Sequence, residues 1–132
     1  MRARMSDVVT LQLPRDRDFN GVAHLVLGGL AARLELTYDV LDDMTTAIDE
    51  LLERRDSLED VTLSVEIEDD AIVATIGPFS ARVADELNSS GETFGLKRVL
   101  DATVDEVRVS ERGDAQWVEL RKSLRKAAAD VG

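Results

Sequence analysis

The chain has 132 residues and a mass of 14.5 kDa, the length of one domain that can bury about two-thirds of its unfolded surface. The absence of cysteine excludes disulfides and thiolate metal sites, and the presence of only one histidine disfavours histidine-based metal or catalytic centres. Its 27 acidic and 16 basic residues give a net charge of −11, which disfavours direct nucleic-acid binding. The acidity has two interpretations: a docking face for a basic protein, or a surface that keeps the protein in solution.

No apolar run reaches the length that crosses a membrane, and the most apolar stretch, 23–32, is interrupted by Gly28 and Gly29. We therefore expect a cytoplasmic protein without membrane contact. Residues 1–132 are expected to form a single domain, with flexible ends at 1–7 and 122–132.

The first half of the chain predicts one strand and two helices. Residues 8–13 alternate loosely and stop at Pro14, which is typical of an edge strand. Apolar residues at three- and four-residue spacing predict a helix over 18–36. Thr37 or Asp39 can cap a second helix that runs to about residue 55.

The second half predicts two hairpins separated by two short helices. The predicted elements are strands at 61–67 and 71–76, a helix from Ser80 to 87, a loop at 88–92, a helix at 93–102, strands at 104–110 and 115–121 around a turn at 111–114, and a frayed helix from Lys122. Helices packed on one face of a mostly antiparallel sheet form an α+β two-layer sandwich.

Three short stretches carry a family likeness. They are a helix with small residues at 25–33, the segment Ala-Ile-Asp-Glu at 47–50, and Gly95-Leu96 with the strand that starts at Val104. Together they resemble the anti-sigma-factor serine kinases of the GHKL ATPase superfamily, and the likeness extends over residues 8–121. It implies the GHKL (Bergerat) form of the two-layer sandwich, with helices on one face of the sheet.

In active members of that family, a glutamate polarises the attacking group and an asparagine four residues later holds magnesium against ATP. An aspartate in an Asp-x-Gly motif accepts a hydrogen bond from the adenine amino group, and a Gly-x-Gly loop, called the glycine box, lets backbone amides approach the phosphates. The resemblance places Glu50 at the glutamate and Arg54 at the asparagine. Thr75 replaces the aspartate of the Asp-x-Gly motif, which we call the adenine box, and Gly77 matches the glycine of that motif.

The glycine box is also altered. Thr93 replaces its first glycine, Phe94 adds bulk where phosphate should lie, and Gly95 remains. The segment 78–92 is short for a loop that closes over a nucleotide. Losing a bonded partner in a buried site costs roughly 1–3 kcal/mol, so two or three such losses would remove typical ATP affinity. The likeness therefore implies a degenerate nucleotide site that needs neither ATP nor a metal.

Several residues have two interpretations. Glu50 is either a working base or the partner of Arg54 in a salt bridge one helical turn away. Arg54 could instead bind phosphate in place of the metal. The acidic pairs 42–43 and 49–50 are either a cation site or a solvated helix face, and the second is favoured.

The first helix has its own alternatives. His24 has apolar neighbours, which favours a half-buried packing residue over a pH sensor or partner contact. Gly28 and Gly29 each cost up to roughly 1 kcal/mol in a helix, so we expect the close approach of a neighbouring backbone to compensate. In the resembled family this helix takes part in dimer and partner contacts, which makes Leu25, Gly28, Gly29 and Arg33 a candidate docking region against the alternative of internal packing. Trp117 is expected to pack in the core or on the sheet.

Three hypotheses follow. The first is a degenerate anti-sigma-factor-like regulator that binds a sigma factor or an anti-sigma antagonist without ATP, as a homodimer. The second is an ATP- and magnesium-dependent protein serine kinase with Glu50 as base and Arg54 on phosphate. The third is an unrelated α+β interaction domain whose likeness to the family is coincidental.

Overall fold

A computed structural model describes residues 8–54, 59–68, 70–88 and 95–124. Within these residues there are five strands and four α-helices. They are β1 Val8–Leu13, α1 Val22–Leu34, α2 Tyr38–Leu52, β2 Val61–Glu68, β3 Ala71–Phe79, α3 Ala81–Asn88, α4 Leu96–Thr103, β4 Glu106–Arg112 and β5 Ala115–Ser123. The strand order is β1-β2-β3-β5-β4, with every neighbouring pair antiparallel. This α+β fold is compatible with the predicted two-layer α/β sandwich.

Each face of the sheet has a distinct character because side chains alternate along a strand. One row across the sheet is Leu11, Leu63, Ile76, Val118 and Val109. Its three central members are buried in the same hydrophobic cluster as the inner residues of the helices, so this is the core face. The adjacent row, Thr10, Ser64, Thr75, Glu119 and Arg108, belongs to the opposite side, which we call the open face.

The second helix forms where its sequence predicts it. Thr37 is its N-cap, and the Thr37 hydroxyl accepts a hydrogen bond from the Val40 N–H at 3.2 Å. Its inner residues recur at helical spacing and are fully or nearly fully buried: Val40, Met44, Ala47, Ile48 and Leu51. Burying such a stripe supplies most of the stability of a helix of this length.

The first helix is shorter than predicted. A 3₁₀ turn occupies Arg17–Gly21, where the Asp16 carboxylate accepts from the Asp18 N–H at 2.9 Å. The α-helix therefore starts at Val22 instead of residue 18. It ends at Leu34, because Glu35 adopts a left-handed conformation with φ of 55°.

The later elements differ from prediction mainly at their ends. β3 continues through Phe79, β4 runs from 106 to 112, and the turn shrinks to Gly113 and Asp114. Lys122 lies in β5 and not in a terminal tail, because that strand pairs with β3 up to Ser123. Asn88, the first residue of the loop predicted at 88–92, lies at the end of α3. Residues 89–92 of that loop, residues 93–94 of the glycine box, the N-terminal segment 1–7 and the tail beyond 124 lie outside the described residues.

Candidate functional site

The Arg54 side chain is held by two carboxylates. Its Nη1 donates to the Glu50 carbonyl and to Glu50 Oε1, both at 3.0 Å. Its Nε donates to Glu86 Oε1 at 3.2 Å, and its Nη2 donates to Glu86 Oε2 at 3.4 Å. We call Glu50, Arg54 and Glu86 the Arg54 cluster. All three nitrogens of the guanidinium are engaged, so the cluster ties the end of α2 to α3.

The electrostatics of this cluster differ from those of a phosphate site. The two carboxylates outnumber the one guanidinium, and all three side chains are only partly exposed, at 35% for Glu50, 26% for Arg54 and 39% for Glu86. A phosphate that approached Arg54 would meet two negative charges within hydrogen-bond distance of the same group. The ion pair that the sequence offered as one role of Glu50 is present.

The structure does not bring Thr75 and Gly77 to the Arg54 cluster. Both lie on the open face, because the intervening Ile76 is fully buried on the core face. Thr75 pairs with Ser64 and Glu119 in the open-face row. These two residues of the resembled adenine box are thus on the opposite side of the sheet from α2.

Gly77 is covered by the ring of Trp117. A Cβ at position 77 would lie 2.7 Å from Trp117 Cε3 and 2.8 Å from Cγ. The guanidinium of Arg112 stacks over the same ring, 4.6 Å from its centroid. The space beside Gly77 is therefore filled by a side chain of the protein, and Trp117 packs on the sheet.

Gly95 occupies the N-cap of α4, in an extended conformation and without a side-chain cap. Leu96 and Leu100 of that helix are fully buried in the core, and α4 packs against α2. Gly95 therefore lies in the same layer as Glu50 and Arg54. Of the five predicted nucleotide-site residues, the structure joins only Glu50 and Arg54 by direct contact.

Two acidic residues of α2 are bonded by side chains from elsewhere in the fold. Asp43 accepts from Lys122 Nζ at 2.9 Å, and Asp49 lies 2.6 Å from His24 Nε2. Among the described residues no group of three potential ligands is placed to hold a metal ion.

His24, expected as a half-buried packing residue, makes a polar contact instead. Its side chain is 48% exposed and bonds Asp49 across the α1–α2 contact. The inward positions of α1 are Ala23, Leu27 and Ala31. The residues of α1 are apolar or small on nearly every side of the helix, so their spacing did not reveal which side faces the core.

The α1 docking region consists of Leu25, Gly28, Gly29 and Arg33. Leu25 is 75% exposed, and Gly29 and Arg33 are exposed as well. The expected close approach of another backbone is absent, because a Cβ at either glycine would meet nothing within 4 Å among the described residues. Internal packing therefore does not account for the two glycines.

Sequence reasoning missed Glu86 and Lys122. Each reaches α2 from a distant part of the chain, Glu86 across 32 residues and Lys122 across 79. Neither spacing is a recognisable motif. An open cavity of about 430 Å³ was also not predicted, and it lies away from the Arg54 cluster, lined by Asp70, Ala71, Asp105, Glu106, Arg121 and Ser123.

A scan of the chain against protein-family models gave no match, and a comparison with curated protein sequences gave none either. In the part of the chain that the structure describes, no helix combines the length and apolar character needed to cross a membrane.

Proposed function

We propose that this protein is a regulatory binding domain of the GHKL anti-sigma-factor type that acts through surface contact and without a nucleotide. The observation that carries the proposal is the Arg54 cluster. The resembled family places a magnesium ligand at position 54, whereas here a guanidinium satisfied by Glu50 and Glu86 fills that place. A metal-bound triphosphate and this cation cannot occupy the same position.

The proposed partner is a sigma factor or an anti-sigma antagonist, and regulation proceeds by sequestration in the cytoplasm, with the protein as a homodimer. The α1 docking region supports this assignment because it offers an exposed leucine beside two glycines that no described neighbour requires. Exposed acidic residues Glu35, Asp39 and Asp42 follow in the next part of the chain. Opposite charge on a basic partner would speed its association and make binding sensitive to salt.

Titration calorimetry with ATP and magnesium tests the loss of nucleotide dependence. We expect no saturable binding at millimolar nucleotide by the natural protein. Arg54→Asn restores the side chain that active relatives carry, and Arg82→Gln, an exposed change on α3, is its matched control. Micromolar binding by the natural protein, tightened by Arg54→Asn and unchanged by Arg82→Gln, would favour the kinase hypothesis and overturn the proposal.

Partner binding is tested with a purified sigma factor or antagonist encoded beside this protein. We expect a complex without added nucleotide. Leu25→Asp should weaken it about tenfold or more, because a charge replaces an exposed apolar contact at the interface, while the melting temperature stays within about 2 °C. A complex that requires ATP, or one that Leu25→Asp leaves unchanged, would contradict this mechanism or this surface respectively.

A further inference from the structure

The strand β4 forms one end of the sheet. It pairs with β5 on one side, and within the described residues no strand lies on its other side. Five consecutive residues, from Arg108 to Arg112, are exposed. The unpaired edge of such a strand can form backbone hydrogen bonds with another strand.

The order of charges along β4 favours one particular strand as that partner. If two copies of the strand pair antiparallel about Val109, each of the seven residues of β4 lies directly opposite a residue of the other copy. Glu106 of each copy then lies opposite Arg112 of the other, and Arg108 lies opposite Ser110. We propose that β4 is the surface through which two copies of this chain associate, edge to edge, in this register.

Other registers are less favourable. A two-fold axis perpendicular to the sheet keeps paired residues on the same face, so only pairings centred on a residue are allowed. Centring on Arg108 sets that arginine opposite itself, and centring on Ser110 sets Arg108 opposite Arg112. Like charges directly opposite each other destabilise a strand pair. A register centred on Val107 pairs only residues 106–108 of each copy, and one centred on Glu111 pairs only residues 110–112. Both therefore form fewer backbone hydrogen bonds than the register centred on Val109.

The centre of the proposed contact is apolar and accessible. Val109 lies on the core face of the sheet and is nevertheless 36% exposed, so none of the described helices fully covers the outer part of β4 on that side. At the two-fold axis the Val109 side chains of both copies would meet and bury each other. The open face carries the charged pairs. Within one copy, Glu106 accepts a hydrogen bond from Arg108 of its own strand at 2.7 Å.

The other edge of the sheet lacks this self-complementarity. The open-face residues of β1 are Val8, Thr10 and Gln12, none of which carries a charge that could select a register. Charged residues on an edge strand often discourage sheet extension. On β4 the same residues are ordered so that they discourage other strands and other registers but accept a second copy.

The proposal rests on the homodimer of the proposed function and assigns its interface. Pairing of one short strand should bury less than roughly 1,200 Å², the lower limit for standard-size interfaces, so the dimer should dissociate on dilution. Sedimentation equilibrium of the full chain over a range of concentrations should therefore show a mass that rises from 14.5 kDa toward twice that value.

Two charge variants and their mixture test the register. Glu106→Arg alone places two arginines opposite each other at both ends of the contact, and Arg112→Glu alone does the same with glutamates. Each should weaken the dimer by about tenfold or more. When the two variants are mixed, both ends regain opposite charges, because the introduced residues face each other and so do the native Glu106 and Arg112. The mixture should dimerise at least as well as the natural protein.

Arg82→Glu, on α3, lowers the net charge by the same two units as Arg112→Glu, so it controls for that change and should leave dimerisation as it is. Circular dichroism melts establish that each variant is folded, since Arg112→Glu also removes the stacking on Trp117. A mixture that stays monomeric would overturn the proposal, as would single variants that dimerise like the natural protein, which would point to a different interface. A natural protein that is monomeric at every concentration would remove the homodimer altogether while leaving the partner test unaffected.

Discussion

Replacing Gly28 and Gly29 by alanine should stabilise the protein. Glycine in a helix interior is about 0.8–1.0 kcal/mol less favourable than alanine. That gain is lost only where the added methyl group clashes, and at neither position does a described atom other than the adjoining backbone of the helix itself lie within 4 Å of the new Cβ. The double variant should therefore gain roughly 2 kcal/mol in the free energy of unfolding. For a domain of this size, each kcal/mol raises the melting temperature by about 3–5 °C.

Gly113 supplies the matched control. A Cβ there also meets nothing within 4 Å, but the residue has a φ of +64°, which alanine adopts with strain. Gly113→Ala should therefore destabilise the protein by about 1 kcal/mol, the opposite sign for the same chemical change. Urea unfolding of the variants measures both effects. A double variant at 28 and 29 that is less stable than the natural protein would refute the conclusion that internal packing does not require these glycines.

The same alanines should weaken partner binding if the α1 docking region is the contact surface, so stability and affinity would move in opposite directions. Gly77→Ala should cost about 1–3 kcal/mol in urea unfolding, because the new methyl group overlaps the Trp117 ring, and most of that loss should disappear when Trp117 is also changed to leucine. Equal losses in both backgrounds would argue against the ring contact. Thr37→Ala should cost about 1 kcal/mol through loss of the α2 cap, and Thr37→Ser should restore it; an unchanged thermal melt would show that the Val40 N–H finds another acceptor.

The sequence predicted well those elements whose apolar residues recur with a period that fits either a helix or a strand, but not both. The second helix has a clear inner stripe, and β2 alternates between apolar and polar residues, so both were placed within a few residues of their observed positions. The start of α1 was predicted four residues too early, because the Asp16 cap stabilises a 3₁₀ turn where α-helix was expected. Such local competition is not visible in apolar spacing.

The candidate site was predicted less completely than the fold. The helical spacing of Glu50 and Arg54 allowed their ion pair to be anticipated, but Glu86 joins them through tertiary structure alone. Thr75 and Gly77 were assigned by family likeness. Residues 71–76 are nearly all apolar, so their pattern did not show that Thr75 and Gly77 lie on the face of the sheet away from the helices.

The central position of β3 bears on how the chain folds. β3 forms a local hairpin with β2, and β5 forms another with β4, so both hairpins can arise within microseconds from neighbouring residues. Pairing of β3 with β5 must instead close a segment that contains α3 and α4, and β1 must find β2 across α1 and α2. Assembly of the two halves, and not formation of either hairpin, should therefore set the refolding rate.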